Sequence, residues 1–130
     1  MTSAKPNYLF ADTHEWADLQ FDGLVWVGIS DHAQLALGDV VFLETPPVGA
    51  VVEQGKACAV IESVKAASDI HAPVSGTVVA INLEMIDAPE SINHDPYASW
   101  LFKIQPATTE QLDVELARLQ PLTHYESTLN

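Results

Sequence analysis

Few side chains in this sequence are placed to do chemistry, and one stands apart by its surroundings. Lys65 lies in Glu62-Ser63-Val64-Lys65-Ala66-Ala67-Ser68-Asp69, between two stretches rich in β-branched residues. Basic residues are scarce: Lys5, Lys56, Lys65, Lys103 and Arg118 make up all 5 Lys plus Arg. A lysine at a hairpin tip carries its amine away from the body on a flexible stem. That geometry suits acylation by a modifying enzyme, which must reach the amine and transiently deprotonate it. An ordinary solvated turn lysine fits the same local pattern, so Lys65 draws its weight from its context.

Other chemistries lack their parts. His14-Glu15-Trp16 has no second histidine to complete a His-Glu-x-x-His zinc site, and His32, His71, His94 and His124 are scattered. Gly23-x-x-x-x-Gly28 has the glycine spacing of a phosphate loop, but Ile29-Ser30 follows where a lysine is required. No nucleophile, base and orienting group form a visible set, so the chain is not expected to be an enzyme in its own right. Cys58 is the single cysteine, which rules out an internal disulfide. Within Ala57-Cys58-Ala59-Val60-Ile61 it reads as a small buried hydrophobe rather than a reactive thiol.

At 130 residues the chain is expected to form one domain, 1–130, large enough for a real core. A hydrophobic content of 48% with 18% charged residues is that of a folded globular protein. The 18 acidic residues give a formal charge of −13. Such a surface repels phosphate backbones and anionic membranes, so neither nucleic acid nor membrane is an expected partner. It suits a soluble protein, expected to be monomeric, that meets protein partners through basic patches on their side. Met1-Thr2-Ser3-Ala4-Lys5-Pro6 has no apolar core of a secretory signal behind it, and no apolar stretch is long enough to span a bilayer. A bacterial-type cytoplasmic location is expected; a processed mitochondrial matrix protein would have the same appearance.

The elements that must position Lys65 are mostly strands. Asp22-Gly23 favours a tight turn between strands over His14–Phe21 and Leu24–Ile29, an N-terminal hairpin. Ser30 is placed to cap a short helix over Asp31–Leu37, with Gly38 as its stop. Strands follow over Asp39–Glu44, Val51–Val52, Ala59–Glu62, Ser68–His71 and Thr77–Asn82, separated by turn residues. This rhythm predicts a β-sandwich or barrel. Val48-Gly49-Ala50-Val51-Val52 and Ser75-Gly76-Thr77-Val78-Val79 resemble each other, like two halves flanking the lysine. Leu83–Ile92 is irregular or briefly helical, Asp95-Pro96 a turn and Trp100–Ile104 a strand. Thr108 and Gln111 form a capping box for a helix near 109–119, with Leu112, Leu116 and Leu119 on one face. Pro121 is expected to stop it and leave a loosely held tail to Asn130.

Several motifs in register turn this pattern into a resemblance. Glu62–Asp69 is similar to the lipoyl-lysine signature of glycine cleavage H proteins. His14-Glu15-Trp16, Val27-Gly28-Ile29-Ser30-Asp31-His32-Ala33-Gln34 and Leu37-Gly38-Asp39-Val40-Val41-Phe42 precede it in the family's order. Pro73-Val74-Ser75-Gly76, Ile92-Asn93-His94-Asp95-Pro96-Tyr97 and Trp100-Leu101 follow it. Two places depart from the family pattern: Tyr97-Ala98-Ser99-Trp100 lacks a glycine and is a residue short, and Ala17-Asp18-Leu19 is less basic.

The resemblance implies a mainly β, lipoyl/biotinyl-carrier-like β-sandwich (a flattened barrel) and a non-catalytic carrier. It implies lipoate in amide linkage to Lys65, attached by lipoyl- or octanoyl-transfer enzymes that recognise the turn of Glu62, Ser63, Val64, Ala66 and Asp69. The implied partners are the pyridoxal-phosphate glycine decarboxylase (P protein), the aminomethyltransferase (T protein) and dihydrolipoamide dehydrogenase (L protein). Glu15 and Asp69 are the implied carboxylates of a cleft for the loaded arm. Two other carriers use a similar lysine. A lipoyl or biotinyl domain of another complex fits less well, because Val64 and Ala66 stand where biotin domains have methionines. An H-like protein that relays lipoate to other proteins would use Lys65 itself.

Overall fold

The computed structural model describes residues 3–129. Its elements, in chain order, are β1 (Leu9–Phe10), β2 (Glu15–Leu19), β3 (Val25–Ile29), α1 (Asp31–Leu37), β4 (Val40–Glu44), β5 (Val51–Val52), β6 (Ala57–Ser63), β7 (Ala67–His71), β8 (Gly76–Ile81), α2 (Leu83–Asp87), α3 (Ser91–His94), β9 (Phe102–Gln105), α4 (Thr109–Leu116), β10 (Gln120–Pro121) and α5 (Leu122–Ser127). One sheet has 7 strands in the order β10-β1-β2-β3-β9-β8-β5, the other has 3 in the order β4-β6-β7. The fold is a lipoyl-carrier-like sandwich of two sheets that do not close, so the flattened barrel is open between them.

Local chemistry accounts for the elements around the site. Asp22 Oδ1 accepts the Leu24 N–H at 3.0 Å, and Gly23 has φ +84°. The turn sets the β2–β3 register from Glu15 opposite Ile29 to Leu19 opposite Val25. Ser30 Oγ caps α1 by accepting from the Ala33 N–H at 3.1 Å, and Gly38 ends it with φ +83° and its N–H on the Gln34 carbonyl.

Strand alternation divides the buried residues into two clusters. Ala17, Val25, Val27, Ile29, Val78, Phe102 and Ile104 of the larger sheet face Val40, Leu43, Ala59, Ile61 and Ile70 of the smaller one. Tyr8, Phe10, Trp16 and Tyr125 form a second, aromatic cluster, with Tyr8 stacked on Trp16 and Phe10 on Tyr125. Trp16 lies against the bare backbone of Gly28, where an added Cβ would sit 2.3 Å from the indole. The two similar segments found in the sequence pair with each other: β5 runs antiparallel to β8, with Val51 opposite Thr77 and Val52 opposite Gly76.

Three expectations need correction. The C-terminal helix ends at Leu116 rather than near 119, because the chain turns there to bring Gln120–Pro121 beside β1. The tail is not loose. It forms α5, and buried Tyr125 bonds Ser30 Oγ and His14 Nδ1, both at 2.7 Å. The expected strand over Trp100–Ile104 begins only at Phe102, since the Trp100 carbonyl is taken by Asn82 Nδ2 at 2.7 Å. The short Tyr97–Trp100 segment is closed by Ser99 Oγ, which donates to the Asp95 carbonyl at 2.7 Å and lies 3.3 Å from that of Ser91.

Candidate functional site

β6 and β7 form a hairpin whose tip carries Lys65. Ile61 opposes Ser68 and Glu62 opposes Ala67, and the loop closes with the Ser63 N–H on the Ala66 carbonyl at 2.7 Å. Ser63 is buried and organises the turn: its Oγ accepts from the Ala66 N–H at 3.1 Å and the Lys65 N–H at 3.3 Å. Val64, Lys65, Ala66 and Asp69 are exposed, and Glu62 is half-buried. A Cβ at Gly38 would lie 3.4 Å from Lys65 Cε, so the lysine stem runs past a residue that offers only backbone.

The other lysines are engaged or sited differently. Lys103 Nζ sits 4.1 Å from the Trp26 ring centre and 4.6 Å from that of Trp100. Lys56 pairs with Glu53 at 3.1 Å. Lys5 stands near Asp18, whose carboxyl burial holds above its usual range against the opposing pull of Asn7, Lys5 and Gln20. Among the described residues Lys65 makes no salt bridge.

Glu15 lies at the opposite end of β7. It is 1% exposed, and its Oε2 accepts the His71 N–H at 2.9 Å and lies 3.4 Å from His71 Nδ1. The Thr13 hydroxyl donates to Oε1. Burial raises the Glu15 carboxyl above its usual range, opposed by these contacts. Asp69 shares a strand face with His71, two residues away, and so stands between the lysine tip and the Glu15 end. Lys65 and Glu15 are therefore not neighbours; they mark the two ends of β7, which at strand rise is about 13 Å from Ala67 to His71.

Residues around the Glu15 end went unnoticed in the sequence. Thr13 bonds Glu15, and His14, at φ +80°, lies with its ring centre 4.6 Å from that of His32, tilted by 41°, its imidazole pKa lowered by burial and then by His32. Glu15 itself was flagged through the His14-Glu15-Trp16 motif, whereas its contacts with Thr13 and His71 had no local signal. Glu115 was also missed. Buried on α4, it accepts from Ser75 N at 2.8 Å and Ser75 Oγ at 2.6 Å, which staples that helix to the turn before β8. Cys58 is half-buried, its thiol pushed up to about 12 by burial and the nearby Glu15, in keeping with an unreactive packing role.

Known proteins match this arrangement along nearly the whole chain. Residues 8–129 match the family described as glycine cleavage H-protein. A "Glycine cleavage system H protein" of Azoarcus sp. (strain BH72) is 62% identical over 106 residues, covering 81% of this chain and 84% of its own. A "Glycine cleavage system H protein 2" of Pseudomonas syringae pv. tomato is 50% identical over 129 residues, covering 99% and 98%. The crystal structure of a glycine cleavage system H protein from Mycobacterium marinum superposes with a TM-score of 0.85 at 36% identity, covering 95% of this chain and 97% of the other.

Proposed function

Because the chain belongs to the glycine cleavage H-protein family, we propose that it is one domain working as that system's lipoyl carrier, with lipoate in amide linkage to Lys65. The family is a non-catalytic carrier component, so the chain's task is presentation rather than bond-making. The observation that carries the assignment is Lys65 itself, an exposed lysine at the tip of the β6–β7 hairpin that, among the described residues, makes none of the cation–π and ion-pair contacts that hold Lys103 and Lys56. The buried Ser63 hydroxyl fixes the backbone on either side of it, so a transfer enzyme meets a preformed turn of Glu62, Ser63, Val64, Ala66 and Asp69. Lys65 would hold lipoate, whose disulfide would open by reduction as one sulfur takes the aminomethyl group from the P protein and the other becomes a thiol; transfer of that group to the T protein would leave the dithiol that the L protein oxidises.

The chain's carboxylates account for protection of the cargo. An aminomethyl group carries a cationic amine near neutral pH, and a charge-assisted hydrogen bond from it to a carboxylate is stronger than a neutral one. Asp69 is exposed along β7 and Glu15 closes its far end, a span comparable to a lysine side chain extended by an octanoyl-length acyl chain. Glu15 meets the amine with a carboxylate already fixed by His71 and Thr13, which costs little reorganisation. The oxidised arm bears no charge and gains nothing from either group.

Intact mass and peptide mapping after expression with lipoate test the attachment: the added mass is expected on Lys65 and not on Lys5, Lys56 or Lys103. Glycine-dependent carbon dioxide release with P protein separates a glycine cleavage carrier from a lipoate relay. Glu15→Ala and Asp69→Ala are expected to keep lipoylation and oxidation by L protein while releasing ammonia and formaldehyde faster from the loaded protein. Equal release rates in all three proteins would remove these carboxylates from the arm's protection.

A further inference from the structure

The lysine turn is fastened to the rest of the molecule beyond its own hairpin. The Val64 N–H, one residue before Lys65, donates to the Asp39 carbonyl at 3.0 Å. That carbonyl belongs to the same peptide unit as the Val40 N–H, and a trans peptide is planar with C=O and N–H pointing in opposite directions. On the far side of this plane the Val40 N–H donates to Asn93 Oδ1 at 2.8 Å. The three groups form one relay, from Val64 through the Asp39–Val40 peptide to Asn93. Hydrogen bonds in such a chain polarise and strengthen one another.

Asn93 also holds the preceding peptide unit. Its Nδ2 donates to the Gly38 carbonyl at 2.9 Å and to Gln34 Oε1 at 3.0 Å. Two consecutive peptide planes on either side of the Asp39 Cα are thus fixed by one side chain. The orientation of its amide is dictated by the network, since only the oxygen can accept from Val40 N–H. The segment needs fixing: Gly38 has the positive φ of a helix stop, and Asp39 is exposed. Asn93 is itself anchored, because Ile92 beside it on α3 is fully buried.

We propose that Asn93 is a positioning residue for modification of Lys65, setting the Asp39–Val40 peptide plane so that its carbonyl holds Val64 and aims the lysine turn. It touches neither the lysine nor an acyl donor and acts through backbone alone. The inference rests on Lys65 being the acylated lysine.

Asn93→Asp tests it in the full-length protein. The substitution keeps the acceptor for Val40 N–H but puts a carboxylate oxygen against the Gly38 carbonyl and Gln34 Oε1. Three quantities are measured: melting temperature, amide exchange at Val64, and kcat and KM for lipoylation of the apo-protein by a lipoate ligase. The expected result is Val64 exchange faster by about tenfold, as for a local opening, with KM for the protein raised by about tenfold and kcat little changed. Leu112→Ala is the control for a merely structural role: it removes a buried side chain from α4, so it should lower the melting temperature yet leave Val64 exchange and KM at wild-type values. Should Asn93→Asp not fold, Asn93→Ala, which adds no charge, carries the same test. Wild-type KM and Val64 exchange in the Asn93 variant, or the same changes in Leu112→Ala, would overturn the proposal. Failure of wild-type Lys65 to be modified would instead remove the carrier reading, and Val64 exchange reports on the relay in either case.

Discussion

The two ends of the β6–β7 hairpin are built on opposite principles. At the Lys65 end three consecutive side chains, Val64 to Ala66, stand in solvent, and order comes from backbone bonds and one buried serine. At the Glu15 end a carboxylate is taken out of water and satisfied by Thr13, His71 and little else. The exposed end leaves the lysine amine reachable from solvent. At the buried end desolvation works against the carboxylate's charge, and the contacts with His71 and Thr13 offset part of that cost. A single hairpin thus joins an exposed lysine tip to a buried carboxylate.

The largest expected effect separates chemistry from charge at the exposed end. Lys65→Arg should abolish lipoylation completely while keeping the positive charge, since the guanidinium offers no nucleophilic amine; intact mass after growth with lipoate checks it. Lipoylation that survives would break the comparison at its first point.

The frame that holds both ends apart should be far less forgiving. Gly76 has φ +153°, and an added Cβ would lie 2.3 Å from the Gln105 carbonyl oxygen. Gly76→Ala is expected to cost about 2–4 kcal/mol in urea denaturation, combining backbone strain with overpacking.

Tyr125 sharpens the account of the buried end. Its hydroxyl joins Ser30 and His14, and burial raises its pKa to about 12. Tyr125→Phe should cost about 1–3 kcal/mol, because Ser30 and half-buried His14 each lose this hydroxyl, although Ser30 Oγ keeps the Ala33 N–H. A loss near zero would mean that the tail adds packing only.

A smaller effect concerns pH. Burial raises the Glu15 pKa, so the folded state binds this proton more tightly than the unfolded chain does. The group's contribution is most favourable below the unfolded carboxyl range and declines as pH rises toward and through the raised folded value. Glu15→Gln removes this titration. The stability of wild type relative to Glu15→Gln should therefore fall as pH rises across that window and level off above it, read from parallel melts from acid to neutral pH. A parallel pair of curves would mean that Thr13 and His71 fully offset burial.

The smallest effect is the stability change of Lys65→Ala, expected within about ±0.5 kcal/mol as at other exposed sites. A variant that unfolds would show the tip to be part of the core.

Much of the exposed end was legible in the sequence because its causes are local. Asp22-Gly23 sets a turn by its own dihedral preferences, Ser30 and Gly38 bound α1, and the motif around Lys65 lies within eight consecutive residues. The rhythm of short strands separated by turn residues was enough to predict a β-sandwich or barrel around it. The buried end depends on separations no local rule reaches. Tyr125 meets Ser30 across 95 positions and His71 meets Glu15 across 56. The tail was expected to be loose because Gln120–Tyr125 carries no strong helical or strand pattern, and its order comes from pairing with β1 and from stacking of Phe10 on Tyr125. The hairpin tip at Lys65 and the turn that carries it follow from neighbouring residues, so both could be read before the fold was known. The burial of Glu15 at the other end of that hairpin, and the bond of Asn93 to the peptide plane behind Val64, could be seen only in the folded chain, because desolvation and long-range hydrogen bonds exist only once the two sheets have packed together.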